Sequence, residues 1–317
     1  MYLLTNAALS QFETPPLSRT KTPDPRQRRK TDMTDLPTPF ATHRIAGHGG
    51  TALAVAEYGA PDGPPILFVH GWSQSHLSFA RQFAAPELAR FRMVGFDLRG
   101  HGASEKPTAP EAYDGSEPWG GDIAAVIEAL SLHRPLLLGW SMGGKALCDY
   151  LALYGDTALR ATAMIGTGPT SGKFIPPEAR ELRMADEAVL AKGMLSDVLP
   201  ENLAATQAFL RACFHQQPSE ADFATMLGFN MMCPPEIRGQ TRQRHADYRP
   251  AARATANPCL VVWGAHERVM PRPIFDECAA EFAHAKPHVF ENSGHAPFWE
   301  EPERFNALLA EFASAGV

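Results

Sequence analysis

From residue 42 onward the chain alternates short, unbroken apolar runs with polar stretches rich in glycine and proline. The runs 42–46, 52–57, 66–70, 93–97, 136–140, 161–166, 259–263 and 288–290 have strand length, and most lack a polar face. Strands that are apolar on both sides must be covered on both sides. Between the later runs, apolar residues recur every three to four positions over 119–130, 142–154 and 271–283, which predicts helices. Strands alternating with helices imply an α/β fold built on a mostly parallel twisted sheet with helices on both faces. The first two strands, joined by Gly47-His48-Gly49-Gly50, predict an antiparallel hairpin at one edge.

Residues 171–250 break this alternation. Helical spacing over 177–190, 201–214, 220–230 and 236–248, with hardly any strand pattern, predicts a helical insertion that divides a core of 41–170 and 251–317. Its apolar positions, among them Met184, Met194, Phe209, Phe214, Phe223 and Met226, mostly supply its own core. Flexible methionines also line adaptable pockets, so an apolar acyl or alcohol group is the expected substrate feature. Residues 1–40 are rich in Thr, Pro and basic side chains without periodicity, which predicts disorder. The start Met1-Tyr2-Leu3-Leu4-Thr5-Asn6 turns polar too soon for a secretory signal, and Met33 is the expected functional start.

With 317 residues, 44% of them hydrophobic and 20% charged, the chain can bury one large core plus a modest insertion. A formal net charge of -6 supplies no broad positive surface for nucleic acid or an anionic membrane. No apolar run approaches the roughly 18 residues that span a bilayer. The five cysteines, Cys148, Cys213, Cys233, Cys259 and Cys278, are scattered and form no C-x-x-C pair. Free thiols in a reducing, cytoplasmic compartment are expected. The histidines show no metal-ligand spacing, so neither a metal nor a cofactor is expected, and the oligomeric state is left open.

The chemistry concentrates at Gly139-Trp140-Ser141-Met142-Gly143-Gly144, where an apolar strand runs through a G-x-S-x-G turn into a helix. Such a turn strains the serine backbone, leaves room only for small flanking residues and lifts the hydroxyl clear of the sheet. The Met142 N–H, first in the helix, points at whatever the hydroxyl attacks. Serine is a poor nucleophile at neutral pH unless an imidazole takes its proton and a carboxylate orients the imidazole. Glu267 follows the strand 259–263, and His295 follows 288–290 in Gly294-His295-Ala296-Pro297. Nucleophile, acid and base thus come in the order Ser141, Glu267, His295. The loop Gly166-Thr167-Gly168-Pro169-Thr170-Ser171-Gly172 offers no rival carboxylate, and Asp276 and Glu277 are expected to face solvent from the next helix.

These motifs resemble the α/β-hydrolase superfamily from about residue 41 to the C-terminus. Ile66-Leu67-Phe68-Val69-His70-Gly71-Trp72-Ser73 resembles the family's strand-to-loop segment, which implies that the Trp72 N–H joins that of Met142 in an oxyanion hole. Asp97-Leu98-Arg99-Gly100-His101-Gly102-Ala103-Ser104 resembles its D-x-R-G-x-G-x-S loop, which implies that His101 here, like His70 in the preceding motif, shapes its loop, with Asp97 and Arg99 holding the loop against the sheet. The family more often has Asp where Glu267 stands. The pairing of His70-Gly71-Trp72 with the elbow is most similar to single-domain serine esterases of the non-haem haloperoxidase or perhydrolase group. The resemblance implies hydrolysis of a small ester or lactone, with the helical insertion as a cap over the nucleophile. Serine rather than aspartate at the elbow excludes dehalogenase and epoxide hydrolase chemistry. A carbon–carbon bond hydrolase or perhydrolase would use the same three residues, although the bulk of Trp72 disfavours the former. A receptor with little turnover is the alternative of another class. Lys145, on the first turn after the elbow, either snorkels to solvent or meets a substrate carboxylate.

Overall fold

The computed structural model describes residues 36–182, 192–242 and 244–315. Residues 1–35 of the stretch 1–40 expected to be disordered, and residues 183–190 of the helix expected over 177–190, lie outside the described residues. Eight strands form one sheet: β1 (Ala41–Ala46), β2 (Ala52–Gly59), β3 (Pro65–Val69), β4 (Arg92–Phe96), β5 (Leu136–Trp140), β6 (Ala161–Ile165), β7 (Cys259–Gly264) and β8 (Ala285–Phe290). Their order is β1-β2-β4-β3-β5-β6-β7-β8. The expected edge hairpin is present, β2 also runs antiparallel to β4, and every other pairing is parallel.

Strand geometry explains the unbroken apolar runs. Ile66, Phe68, Leu136, Leu138, Leu260 and Val262 point into one buried cluster, which includes Phe305, Leu309 and Phe312 of the C-terminal helix Pro302–Ser314. Their neighbours Leu67, Val69, Leu137 and Val261 point into the other cluster, with Trp119, Ile123 and Leu147. The last three belong to the helices Glu117–Ala129 and Met142–Tyr154. Alternate residues of one strand therefore serve two cores, and no position is left for a polar face.

β8 starts three residues earlier than its apolar run, because Ala285, Lys286 and Pro287 also pair with β7. Pro287 hides that extension in the sequence, yet an edge strand tolerates a proline. Between β6 and β7 stand the helices Pro177–Glu181, Leu199–Cys213, Glu220–Met231, Pro235–Arg242 and Arg249–Arg253. The helix expected over 236–248 ends at Arg242 instead. Beyond it the backbone bonds to the segment leaving β6, with Tyr248 N–H donating to the Pro169 carbonyl at 2.8 Å and Ser171 N–H to that of Ala246 at 2.9 Å.

Arg238 joins three of these helices. Its guanidinium is fully buried and donates to the carbonyl oxygens of Met194 (3.1 Å) and Asn230 (2.7 Å), to Asn202 Oδ1 (2.8 Å) and to Thr206 Oγ1 (3.2 Å). Spreading one cation over four acceptors offsets part of its desolvation. Among the described residues, no helix is long and apolar enough to cross a membrane.

Candidate active site

Ser141, Glu267 and His295 follow the carboxyl ends of β5, β7 and β8, where open parallel sheets place their ligand crevices. Ser141 has φ 53° and ψ -117°, a conformation that costs an L-residue free energy and persists only where its surroundings fix it. Its N–H donates to the Ile165 carbonyl of β6 at 2.9 Å, and the helix Met142–Tyr154 starts at the next residue. The glycines after the serine allow that helix to press onto the sheet. A Cβ on Gly143 would lie 2.2 Å from the Val69 carbonyl oxygen and 2.6 Å from that of His70.

Glu267 Oε2 lies 2.6 Å from His295 Nδ1, and both side chains are 2% exposed. The other carboxylate oxygen, Oε1, accepts from the N–H groups of Val269 (2.7 Å) and Met270 (3.2 Å). With the carboxylate ionised, Nδ1 carries the ring proton and Nε2 is the basic nitrogen. Trp140, which precedes Ser141, donates its indole N–H to the His295 carbonyl at 2.8 Å, and the two rings lie 5.5 Å apart. Gly166, at the end of β6, faces the acid–base pair with φ +57°; a Cβ there would come within 2.9 Å of His295 Nδ1. Its role comes from the vacancy of its side chain, which the residue types of this loop do not reveal.

The loop after β3 borders the serine, since a Cβ on Gly71 would sit 3.4 Å from Ser141 Cβ. Trp72 is 8% exposed, and its indole N–H is committed to Thr241 Oγ1 (3.0 Å) and the Arg238 carbonyl (3.2 Å). Phe209 packs edge-on against it at 5.5 Å. The side chain is thus a wall shared with the helices between β6 and β7.

Asp97 and Arg99 hold the next loop. Asp97 accepts from the His76 N–H (2.9 Å), His76 Nδ1 (2.8 Å) and the Ala103 N–H (2.7 Å). Arg99 grips Asp122 through two bonds of 2.7 and 2.6 Å. His70 Nδ1 meets the Gly71 carbonyl at 2.8 Å, while the Leu98 N–H donates to His70 Nε2 at 3.0 Å, which fixes a neutral tautomer. His101 Nδ1 meets the Arg99 carbonyl at 2.9 Å. Burial pushes His70 down from 6.5 to about 4 and His101 to about 3. Below pH 6.5 the unfolded chain therefore gains protons that the folded one refuses. Each histidine is expected to remove about 1.4 kcal/mol of stability per pH unit as pH drops from 6.5 to about 4, while buried carboxyls such as Glu300, whose pKa is raised, work the other way. Melting temperature against pH for the protein and for His101→Gln checks this: the variant is expected to lose less over that window, and parallel profiles would contradict it.

Two expectations fail. Lys145 is half-buried, and its ammonium is neither left to solvent alone nor kept for a substrate carboxylate, because it donates to the carbonyl oxygens of Gly168 and Thr170 in the loop after β6. Glu277 does not face solvent: its side chain is 9% exposed and accepts from Thr170 Oγ1 at 2.6 Å, whereas Asp276 is exposed. All five cysteines are free and buried, and burial raises the pKa of each, so none has the profile of a reactive thiol.

The crystal structure of an esterase from Rhodococcus sp. ECU1013 superposes on the chain with a TM-score of 0.80 at 28% identity, covering 86% of this chain and 98% of that one. An AB hydrolase superfamily protein of Bacillus subtilis is 28% identical over 277 residues, which is 86% of this chain and 99% of its relative. A non-heme chloroperoxidase of Streptomyces lividans is 33% identical over 103 residues, 32% of this chain and 36% of that protein. The family model for the alpha/beta hydrolase fold matches residues 64–302. Sheet order, strand-end placement of the three side chains and a match over most of the length agree: the chain belongs to the alpha/beta hydrolase fold family.

Proposed function

We propose that the protein is a serine hydrolase that cleaves a carboxylic ester or lactone of a small, largely apolar substrate through an acyl-serine intermediate. The observation that carries this is the strained Ser141 at a helix start, on the same sheet edge as the 2.6 Å Glu267–His295 pair. Ser141 Oγ attacks the substrate carbonyl while His295 Nε2 takes its proton. Glu267 keeps the ring in the Nδ1–H tautomer and stabilises the imidazolium that forms. The N–H groups of Trp72 and Met142 face the developing oxyanion, and each is expected to contribute about 3 kcal/mol to the transition state. His295 then protonates the leaving alcohol and activates water for deacylation. No step calls for a cofactor.

The helices between β6 and β7 act as the cap. Phe214, Met226 and Phe229 from that segment, with Trp140 and Phe298 from the core, line a small apolar pocket that Gln74 and Ser78 also border. Ala296 and Trp140 on its wall adjoin the base and the nucleophile in sequence, which supports an apolar acyl or alcohol group. Esterase similarity supports the choice of bond.

Turnover of p-nitrophenyl esters from acetate to octanoate, with a γ-lactone beside them, tests this. Rates of the order of 10 s⁻¹ on at least one ester are expected. Tight binding without turnover would favour a ligand-binding protein. Replacing Glu267 by Gln is expected to lower kcat about 10⁴-fold with a near-normal KM, because the amide cannot hold the same tautomer. Steady-state kinetics of that variant on the best ester check it.

A further inference from the structure

Glu300 ends the short helix Pro297–Glu300 that follows His295. Its Oε1 accepts from the Gly294 N–H at 2.8 Å, and its Oε2 accepts from the N–H groups of His215 and Gln216, both at 2.7 Å. Burial raises its pKa to about 7, against backbone donors that favour the charged form and include the Ala296 N–H. Gly294 and Ala296 flank His295, whereas His215 and Gln216 follow the helix Leu199–Cys213. One carboxylate thus bridges the loop of the base and the end of a helix about 80 residues earlier in the chain.

Further contacts close the same joint. The His295 N–H donates to the Cys213 carbonyl at 2.9 Å, and Gln216 Nε2 donates to that of Asn292 at 2.8 Å. The His215 ring stacks at 3.6 Å on that of His266, the neighbour of Glu267. The fit is tight, since a Cβ on Gly294 would lie 3.0 Å from the His215 nitrogen. Phe209 of the same helix packs on Trp72. A single helix therefore touches the loops on both sides of Ser141.

We infer that Glu300 is a positioning residue, whose carboxylate clamps the His295 loop to the helix Leu199–Cys213 so that the placement of the base depends on the cap. This rests on the function proposed above. Glu300 does not touch the reacting atoms; it acts through the loop backbone. Without it the N–H groups of Gly294, His215 and Gln216 lose their acceptor and the loop can shift, and a displacement near 1 Å costs about 10²-fold in rate.

The test uses the full chain carrying Glu300→Gln or, independently, Gln216→Ala, which removes one of the flanking bonds. Active sites are counted with a fluorophosphonate, and kcat and KM are measured per counted site beside the melting temperature. Glu300→Gln sets an amide N–H₂ against a backbone donor, and kcat per site is expected to fall about 10²-fold with KM within roughly threefold. Gln216→Ala is expected to lower kcat several-fold. If Glu300→Gln fails to fold, Gln216→Ala decides. A drop confined to melting temperature or to the number of active sites, with kcat per site unchanged, would overturn the clamp. Absence of turnover in the unsubstituted protein would refute the proposed function, and the clamp with it.

Discussion

Ser141→Ala is expected to lower turnover about 10⁶-fold while leaving the fold almost untouched. The two effects separate because the interaction that pins the turn is made by the backbone: the Ser141 N–H donates to the Ile165 carbonyl at 2.9 Å and alanine keeps it. Alanine also meets about the same cost at φ 53°. What disappears is the hydroxyl. Hydrolysis of the best p-nitrophenyl ester measures the first effect and thermal melting the second, which should stay within about 1 kcal/mol of the parent. A residual rate above the uncatalysed one is expected, because the proposed oxyanion donors, the N–H groups of Trp72 and Met142, remain to polarise a bound carbonyl. Retained activity would mean that another group attacks.

Gly143→Ala should do the opposite, damaging the fold first. The new methyl would sit 2.2 Å from the Val69 carbonyl oxygen and 2.6 Å from that of His70, both backbone atoms in or next to the central strand β3. No rotamer change relieves such a clash. Either the helix Met142–Tyr154 lifts off the sheet or β3 moves, and both disturb a cluster in which Leu67, Val69, Leu147 and Leu137 are buried. A loss of about 3 kcal/mol or more is expected, at the top of the usual range for overpacking because the clash is with backbone atoms. Chemical denaturation of the purified variant measures it. A loss below about 1 kcal/mol would show that the helix does not rest on β3 this closely.

The elbow was legible in the sequence because its causes are local: a strand, a serine, two glycines and a helix in one short stretch. The Glu267–His295 pair was legible because both residues follow strand-like runs, after the serine, in the chain order of the family that the motifs resemble. What escaped the sequence depends on neighbours created by the sheet. Gly166 matters because β6 lies between β5 and β7, which sets its empty side against His295. Lys145 looked solvated or substrate-facing because the carbonyls of Gly168 and Thr170 that receive it lie more than twenty residues away in the chain. Glu277 looked like a surface residue for the same reason, its partner Thr170 being 107 positions earlier. Helical spacing past Arg242 suggested a longer helix, but bonding of Ala246 and Tyr248 to the strand exit at Pro169 and Ser171 outweighed it. Periodicity reports the face an element would bury and carries no record of a backbone partner recruited from elsewhere.

Reaction of the purified protein with a fluorophosphonate, followed by mapping of the modified peptide, tests the central claim most directly. A single adduct on Ser141, formed in step with loss of ester hydrolysis and absent from His295→Ala, is the predicted result. Hydrolysis that persists without an adduct, or an adduct on any other residue, would contradict it.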